Sequence, residues 1–415
     1  MNRSRILAWC LPLFLVIAAC NRTSPESGAS PAQSANQPLD LGVTFAALEL
    51  PATAGSAHPQ LTSSSKGAIL SWLDQDEATT LRFSERTAGA WSQPQTVSTG
   101  KDWFITAADV PSVLRLKNGT LVANWYPTTD EAIEAYDTYL SYSRDEGKTW
   151  AKAFSPHHDR TKTQHGFVSL LELADGGLGM VWLDGRDQEL NTTDPLGGSM
   201  ALYFASFDPN WKQSAESVVN ARVCECCQTA AVMTADGVLT AFRDRSAEEI
   251  RDIKVSRLEG GKWTPELSLH DDNWKIDACP INGPSLSARG RQVAAVWFSA
   301  PNDNGRAFVA FSQDAGKTWG TAIRLDDEAS LGRVDIEMLD DGSVIASWVE
   351  FANGKSQFKV RRLTASGQRS AALDVPGAGR VSGYPRMTRS GDELILAWTE
   401  TENGQQVKGA VGRLK

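Results

Sequence analysis

The chain has 415 residues, with 41 Lys and Arg against 50 Asp and Glu, a formal net charge of −9, and 41% hydrophobic residues. That composition is ordinary for a folded protein and excludes wholesale disorder. The acidic balance, with no basic stripe, excludes a nucleic-acid binder or a polybasic membrane binder, neither of which could then neutralise phosphates.

Residues 1–19 read as a signal peptide. Arg3 and Arg5 supply the charged start, Ile6 to Ile17 the apolar run, and Ala18 and Ala19 the small residues before cleavage. The apolar run, about a dozen residues, is short for a transmembrane span. Ile17-Ala18-Ala19-Cys20 resembles the lipobox of bacterial lipoproteins. The resemblance implies a lipid on Cys20 and an envelope protein, facing the periplasm or cell surface. Asn21 rather than Asp after that cysteine favours the outer membrane. Residues 20–40 are mostly Ser, Pro, Ala and Gln and read as a flexible tether with a reach of ~25 Å. The folded body is then 41–415.

That body repeats. An apolar run, a turn with Gly and a second apolar run closed by an aromatic recur at 58–72, 110–125, 167–182, 227–242, 283–297, 334–348 and 384–398. The closing aromatics are Trp72, Trp125, Trp182, Phe242, Trp297, Trp348 and Trp398, 50 to 60 residues apart. Seven copies at such a spacing predict an all-β fold, a β-propeller of four-stranded blades, with seven blades favoured and six the alternative. A second hairpin follows each of the first six copies. The seventh has only a third strand, near 407–414, and residues 43–50 are the candidate strand that completes it and closes the ring.

Two second hairpins carry near-identical octapeptides. Ser143, Asp145, Gly147 and Trp150 in one match Ser312, Asp314, Gly316 and Trp319 in the other. These match the Asp-box, Ser-x-Asp-x-Gly-x-Thr-Trp, and the chain thereby resembles the sialidase-like (BNR-repeat) propellers. The Asp-box itself reads as structural: a short Asp accepts turn amides, Gly takes a positive φ, and Trp wedges between sheets.

In an antiparallel blade the Asp-box turns share a face with the turn after the inner strand. Long charged loops gather on the opposite face, around the axis. Candidate ligand-binding residues there are Arg186, Arg243, Arg245, Arg333, Arg386 and His165. Arginines suit a carboxylate because they bind it bidentately. The competing reading of the stretches 183–188 and 242–253 is that their mixed charges neutralise each other in ion pairs.

The resemblance implies a sharper set: three arginines on a sialic carboxylate, a Tyr/Glu nucleophilic pair and an Asp acid/base. Its Phe/Tyr-Arg-Ile-Pro motif is absent. Arg243, Arg333 and Arg386 are the candidate triad, Tyr384 the candidate nucleophile, Glu350 its partner and Asp184 the acid/base. The implied activity, if catalytic, is exo-glycosidase chemistry of the sialidase type.

Four cysteines remain in the folded body: Cys224, Cys226, Cys227 and Cys279. In an exported protein the expected state is disulfide-bonded, Cys279 pairing with one of the 224–227 group. A thiolate site for Cu(I) or Zn, with His165 or His270, is the alternative. No cofactor or metal is otherwise expected. The expected partner is a carbohydrate or small anionic ligand, or else a periplasmic protein in a docking or assembly role. The membrane is met only through the lipid.

Overall fold

Alternating buried and exposed side chains, interrupted by Gly-bearing turns, favour strands over helices along the whole body. The computed structural model describes residues 39–188, 199–352 and 354–415. The signal peptide, Cys20 and nearly all of the tether lie outside them. Helix among the described residues is limited to two 3-10 turns, Glu131–Ile133 and Pro301–Asp303. No helix there is long and apolar enough to cross a membrane.

The strands form seven blades around one axis. Blade 1 is Ser56–Ser63, Ala68–Gln75 and Thr79–Thr87, with Ala90–Trp91 and Gln95–Gly100 outermost. Blade 2 is Ser112–Arg115, Leu121–Trp125 and Tyr139–Ser143, its fourth strand reduced to a single bridge between Leu140 and Phe154. Blade 3 is His165–Glu172, Leu178–Asp184, Met200–Phe207 and Ser217–Val223. Blade 4 is Ala230–Thr234, Gly237–Arg243 and Ile253–Glu259, flanked by Lys262–Trp263 and Leu267–Ser268. Blade 5 is Ser285–Arg289, Gln292–Ser299, Arg306–Ser312 and Ile323–Arg324. Blade 6 is Ala329–Met338, Val344–Ala352, Lys355–Leu363 and Leu373–Asp374. Blade 7 is Val381–Ser390, Glu393–Glu400 and Gln406–Leu414, and its outer strand is Val43–Leu48. Val43 pairs with Leu414 and Leu48 with Gly409, so the closing strand expected from the sequence is in place.

The closing aromatics explain why the blades stack. Each sits on the second strand of its blade and turns toward the preceding blade. Trp72 packs on Ile395 and Val407 of blade 7, Trp125 on Leu73 and Phe83 of blade 1, and Trp348 on Val296 and Val309 of blade 5. All seven aromatics are 5% exposed or less. Burying a large ring at every interface is the dominant apolar term holding the ring together.

The two faces separate as the topology requires. In blade 5, Arg289 pairs with Gln292 and Val293 with Ser312 at one end, while Ser299 pairs with Arg306 at the other. The Asp-box beginning at Ser312 therefore lies on the face of the first turn, where the Ala315 amide donates to Arg291 O at 2.8 Å. Within each box the Asp is fully employed. Asp145 accepts from Ser143 Oγ at 2.8 Å, from the Thr149 amide at 2.9 Å and from Thr149 Oγ1 at 2.6 Å; Asp314 repeats this with Ser312 and Thr318. Those hydrogen bonds, led by that of the Thr hydroxyl, hold both carboxyls down at about 2. Gly147 and Gly316 take φ of 83° and 81°, and Trp150 meets Phe83 of blade 1 edge-on. The boxes are turn locks, and they face away from the long loops.

Candidate funnel site and cysteine cluster

The inner strands of all seven blades line one axial cavity of about 320 Å³. Its wall is polar, with Gln60, Ser112, Ser169, Ser285, Asp335 and Arg386 at corresponding points of six blades. At the loop end several inner strands slip register: between Ala57 and Gln60, Gly166 and Ser169, Gly332 and Asp335, and Ser382 and Arg386. His58, Phe167 and Arg333 occupy these bulges at φ of 53° to 55°, a strained left-handed conformation that re-aims a side chain. Gly332 precedes one of them because a Cβ there would lie 2.2 Å from Asn282 Oδ1.

Three of the expected residues meet at this mouth. Tyr384 of blade 7 packs against the apolar cluster that holds Ala108 and Phe167, and its hydroxyl bonds Gln228 of blade 4. Burial pushes that hydroxyl up to about 12, although Arg333 and Arg386 act in the opposite sense. Neither guanidinium forms an ion pair with a carboxylate among the described residues. Arg333 reaches only the Val381 carbonyl at 3.5 Å, and Arg386 Nε is buried without a partner. Asp335 feels the charge of Arg386, but its oxygens take Ser285 Oγ and the Ile336 and Met387 amides.

The other expected residues are held elsewhere. Arg243, 2% exposed, donates to the carbonyls of Asn282, Phe298 and Arg251 at 2.5 to 2.9 Å and stacks over Trp274. Arg245 binds Glu249 and Glu225. Arg186 binds Asp184 at 2.6 Å and Glu216 at 2.6 Å. Asp184 is wholly buried and takes Trp182 Nε1 at 2.7 Å. Glu350 repeats that motif with Trp348 Nε1 at 3.0 Å and also caps the amides of Asp327 and Glu328. Asp74 does the same for Trp72 in blade 1. A carboxylate two residues beyond the aromatic, on the same strand face, satisfies an indole N–H that the blade interface would otherwise bury unpaired.

Tyr384, Glu350 and Asp184 thus belong to three separate networks, and the nucleophile–base pair implied by the sialidase resemblance is not assembled. His165 is also withdrawn from the funnel. It is fully buried, stacks on His157 at 3.8 Å and bonds Asp159 at 3.1 Å. Burial lowers its pKa, but Asp159, Asp184 and Asp137 more than offset that, and the net shift is upward.

Asp109 stands outside the expected site set. It lies on the cavity wall, 2% exposed, and takes the Tyr136 hydroxyl at 3.0 Å. Burial raises its carboxyl to about 6, against hydrogen bonds from Tyr126 and Tyr136 that lower it. Room for it exists because residue 166 is glycine, where a Cβ would lie 2.0 Å from Oδ2. The signal in the sequence is its place, immediately before Val110-Pro111, at the head of an inner strand.

No disulfide joins the four cysteines in this structure. All four are free thiols. Cys224 Sγ lies 3.7 Å from Cys226 Sγ and 3.5 Å from Cys227 Sγ, far beyond the roughly 2.05 Å of a bond. Cys279, on a different connection, acts on Cys226 but stands outside the trio of sulfurs that lie within 4.8 Å of one another. The Arg251 guanidinium donates to Cys224 Sγ at 3.3 Å and the Asn282 amide to Cys227 Sγ at 3.4 Å. No histidine joins them: His165 is engaged as above, and His270 bonds Asp272 at 2.9 Å. Cys227 also acts on the Tyr384 hydroxyl, which puts the cluster beside the funnel mouth and opposite the Asp-boxes.

Comparison with known proteins gives the family. The model of the BNR repeat-like domain matches residues 73–396, more than half of the chain. No curated protein matches. Among solved structures, a protein of unknown function from Dyadobacter fermentans is similar at 14% identity, over 90% of this chain and 100% of that one, with a TM-score of 0.51. The polysaccharide lyase Uly1 is similar at 10% identity, over 86% and 90%, with a TM-score of 0.55. At these identities the likeness is one of fold.

Proposed function

This chain belongs to the BNR repeat-like family, and on that premise we propose that its funnel binds a carboxylate-bearing saccharide. The observation that carries the reading is the pair Arg333 and Arg386 at the mouth, guanidinium groups without a carboxylate partner beside the Tyr384 hydroxyl. An anionic sugar supplies what they lack: a planar carboxylate for the guanidiniums, and hydroxyls for Gln228, Ser285 and Tyr384. The fold likeness to a polysaccharide lyase is in keeping with a saccharide ligand. Binding is the reading, because the sialidase-type catalytic set is dispersed. The lipobox extends it: the propeller hangs by a lipid on Cys20 from the cell envelope, where such saccharides are met.

The test is calorimetry of the purified body with glucuronate, galacturonate and sialate oligosaccharides beside their neutral counterparts, for the natural protein and an Arg333→Ala, Arg386→Ala double variant. The expected result is binding of an acidic oligosaccharide that the neutral one does not share, weakened tenfold or more in the variant, roughly the worth of one charge-assisted hydrogen bond. Equal affinity for acidic and neutral sugars, or none for either, would end the reading. Metabolic labelling with a fatty acid, abolished by Cys20→Ala, tests the anchor.

A further inference from the structure

We infer that Cys224, Cys226, Cys227 and Cys279 form a tetrathiolate site for a thiophilic d10 cation, Cu(I) or Zn(II), at the rim of the funnel. The inference is independent of the funnel's ligand. A metal–sulfur bond of about 2.3 Å in a tetrahedron places sulfurs about 3.8 Å apart. The separations of 3.5 and 3.7 Å approach that edge, and the sulfurs of Cys224, Cys226 and Cys227 all lie within 4.8 Å of one another. Sulfur ligands rather than oxygen or nitrogen select Cu(I) and Zn(II) over harder ions.

The surroundings suit a cluster of negative sulfurs. Arg251 and the Asn282 amide donate to two of them, which is how a protein orients and stabilises thiolate ligands from outside the metal. Cys224 is fixed by its amide on Arg243 O at 2.9 Å, so the turn through 225–226 starts from a rigid strand end. That turn lets three of four successive side chains converge. The fourth ligand, Cys279, comes from a different connection, the one leading into blade 5, and it lies outside the 4.8 Å trio, so it closes on the other three only when the ion binds. Cys224 and Cys227 are buried while Cys279 is exposed. A site with three sulfurs held in the wall and one at the surface can admit and release its ion through the fourth, which suits metal handling better than a sealed structural site.

The full chain, isolated under reducing conditions and stripped with a chelator, is the material for the test. Thiols are counted before and after titration with Zn(II), and with Cu(I) against a chromophoric competitor, and bound metal is measured by mass spectrometry. One equivalent of either ion, with loss of four titratable thiols, is the expected result; which ion binds tighter assigns the site. Cobalt(II) in its place should give the strong sulfur-to-metal charge-transfer absorption of a tetrahedral thiolate. Cys279→Ser, at an exposed position, should keep the circular dichroism of the parent and weaken metal binding at least tenfold. Cys226→Ser should act likewise. Protein isolated with disulfides supports the site if reduction restores one equivalent of metal. Reduced, folded protein that binds neither ion, or a Cys279→Ser variant with undiminished affinity, overturns it.

Discussion

The two sides of the funnel mouth carry similar residues and have opposite fates. On blades 3 and 4, Asp184, Arg186, Arg243, Arg245, Glu249 and Arg251 neutralise one another or spend their hydrogen bonds on carbonyls. On blades 6 and 7, Arg333 and Arg386 stand with no carboxylate within ion-pair distance among the described residues. The first side is the denser in charge and the second is the available one. Charge in a sequence marks where electrostatics is intense; a site needs charge left over after the fold has used its share.

The comparison can be broken from its strongest side first. Arg243→Ala should leave three buried carbonyls without their donor and cost about 3–5 kcal/mol in urea unfolding, a penalty typical of a broken buried network. A stable variant that had lost only ligand binding would place Arg243 back in the site. Asp109 sharpens the contrast by pH. Its folded pKa of about 6 lies above the unfolded value, so its contribution is complete below about pH 4 and is lost as pH rises through 6. Asp109→Asn should therefore gain on the natural protein by about 2–3 kcal/mol between pH 4 and pH 7. Flat pH dependence of that difference would show Asp109 to be ionised without strain. Glu350→Gln should lower stability by about 1–2 kcal/mol through the Asp327 and Glu328 amides and leave anion affinity unchanged. Arg333→Ala alone should change the free energy of unfolding least, by less than about 0.5 kcal/mol, since it breaks no ion pair. Its effect should appear in saccharide binding.

The ring was legible because its signals are local. Seven spaced aromatics and two Asp-boxes report turns and interfaces whose physics lies within a few residues, and even the closing strand near 43–50 followed from a missing partner. The outer edge of blade 2 was not, because Phe154 supplies one bridge where a strand was expected. The site was only half legible. Tyr384, Arg333 and Arg386 could be placed at one pole from topology alone. That Arg243 would be drawn in by Asn282, or Glu350 by the Trp348 indole, depends on side-chain partners up to 55 residues away or on a rotamer, and periodicity carries neither. The state of the cysteines was not legible for another reason: disulfide and thiolate site differ by sulfur separations set within one turn, 3.7 and 3.5 Å from Cys224 to Cys226 and Cys227, which neither spacing nor compartment chemistry carries.

The outer strand of blade 7 has a consequence for how the molecule is made. Val43–Leu48 pairs with Gly409–Leu414, about 360 residues later, so the sheet of blade 7 can be completed only when both segments are present. Joining them costs conformational entropy on the order of 5 kcal/mol for a segment of this length, to be recovered from six paired residues and the Trp72 interface. Six blades can stack as the chain emerges; the seventh waits, and a chain cut short near Gln406 would expose the edge of Glu393–Glu400 to another molecule.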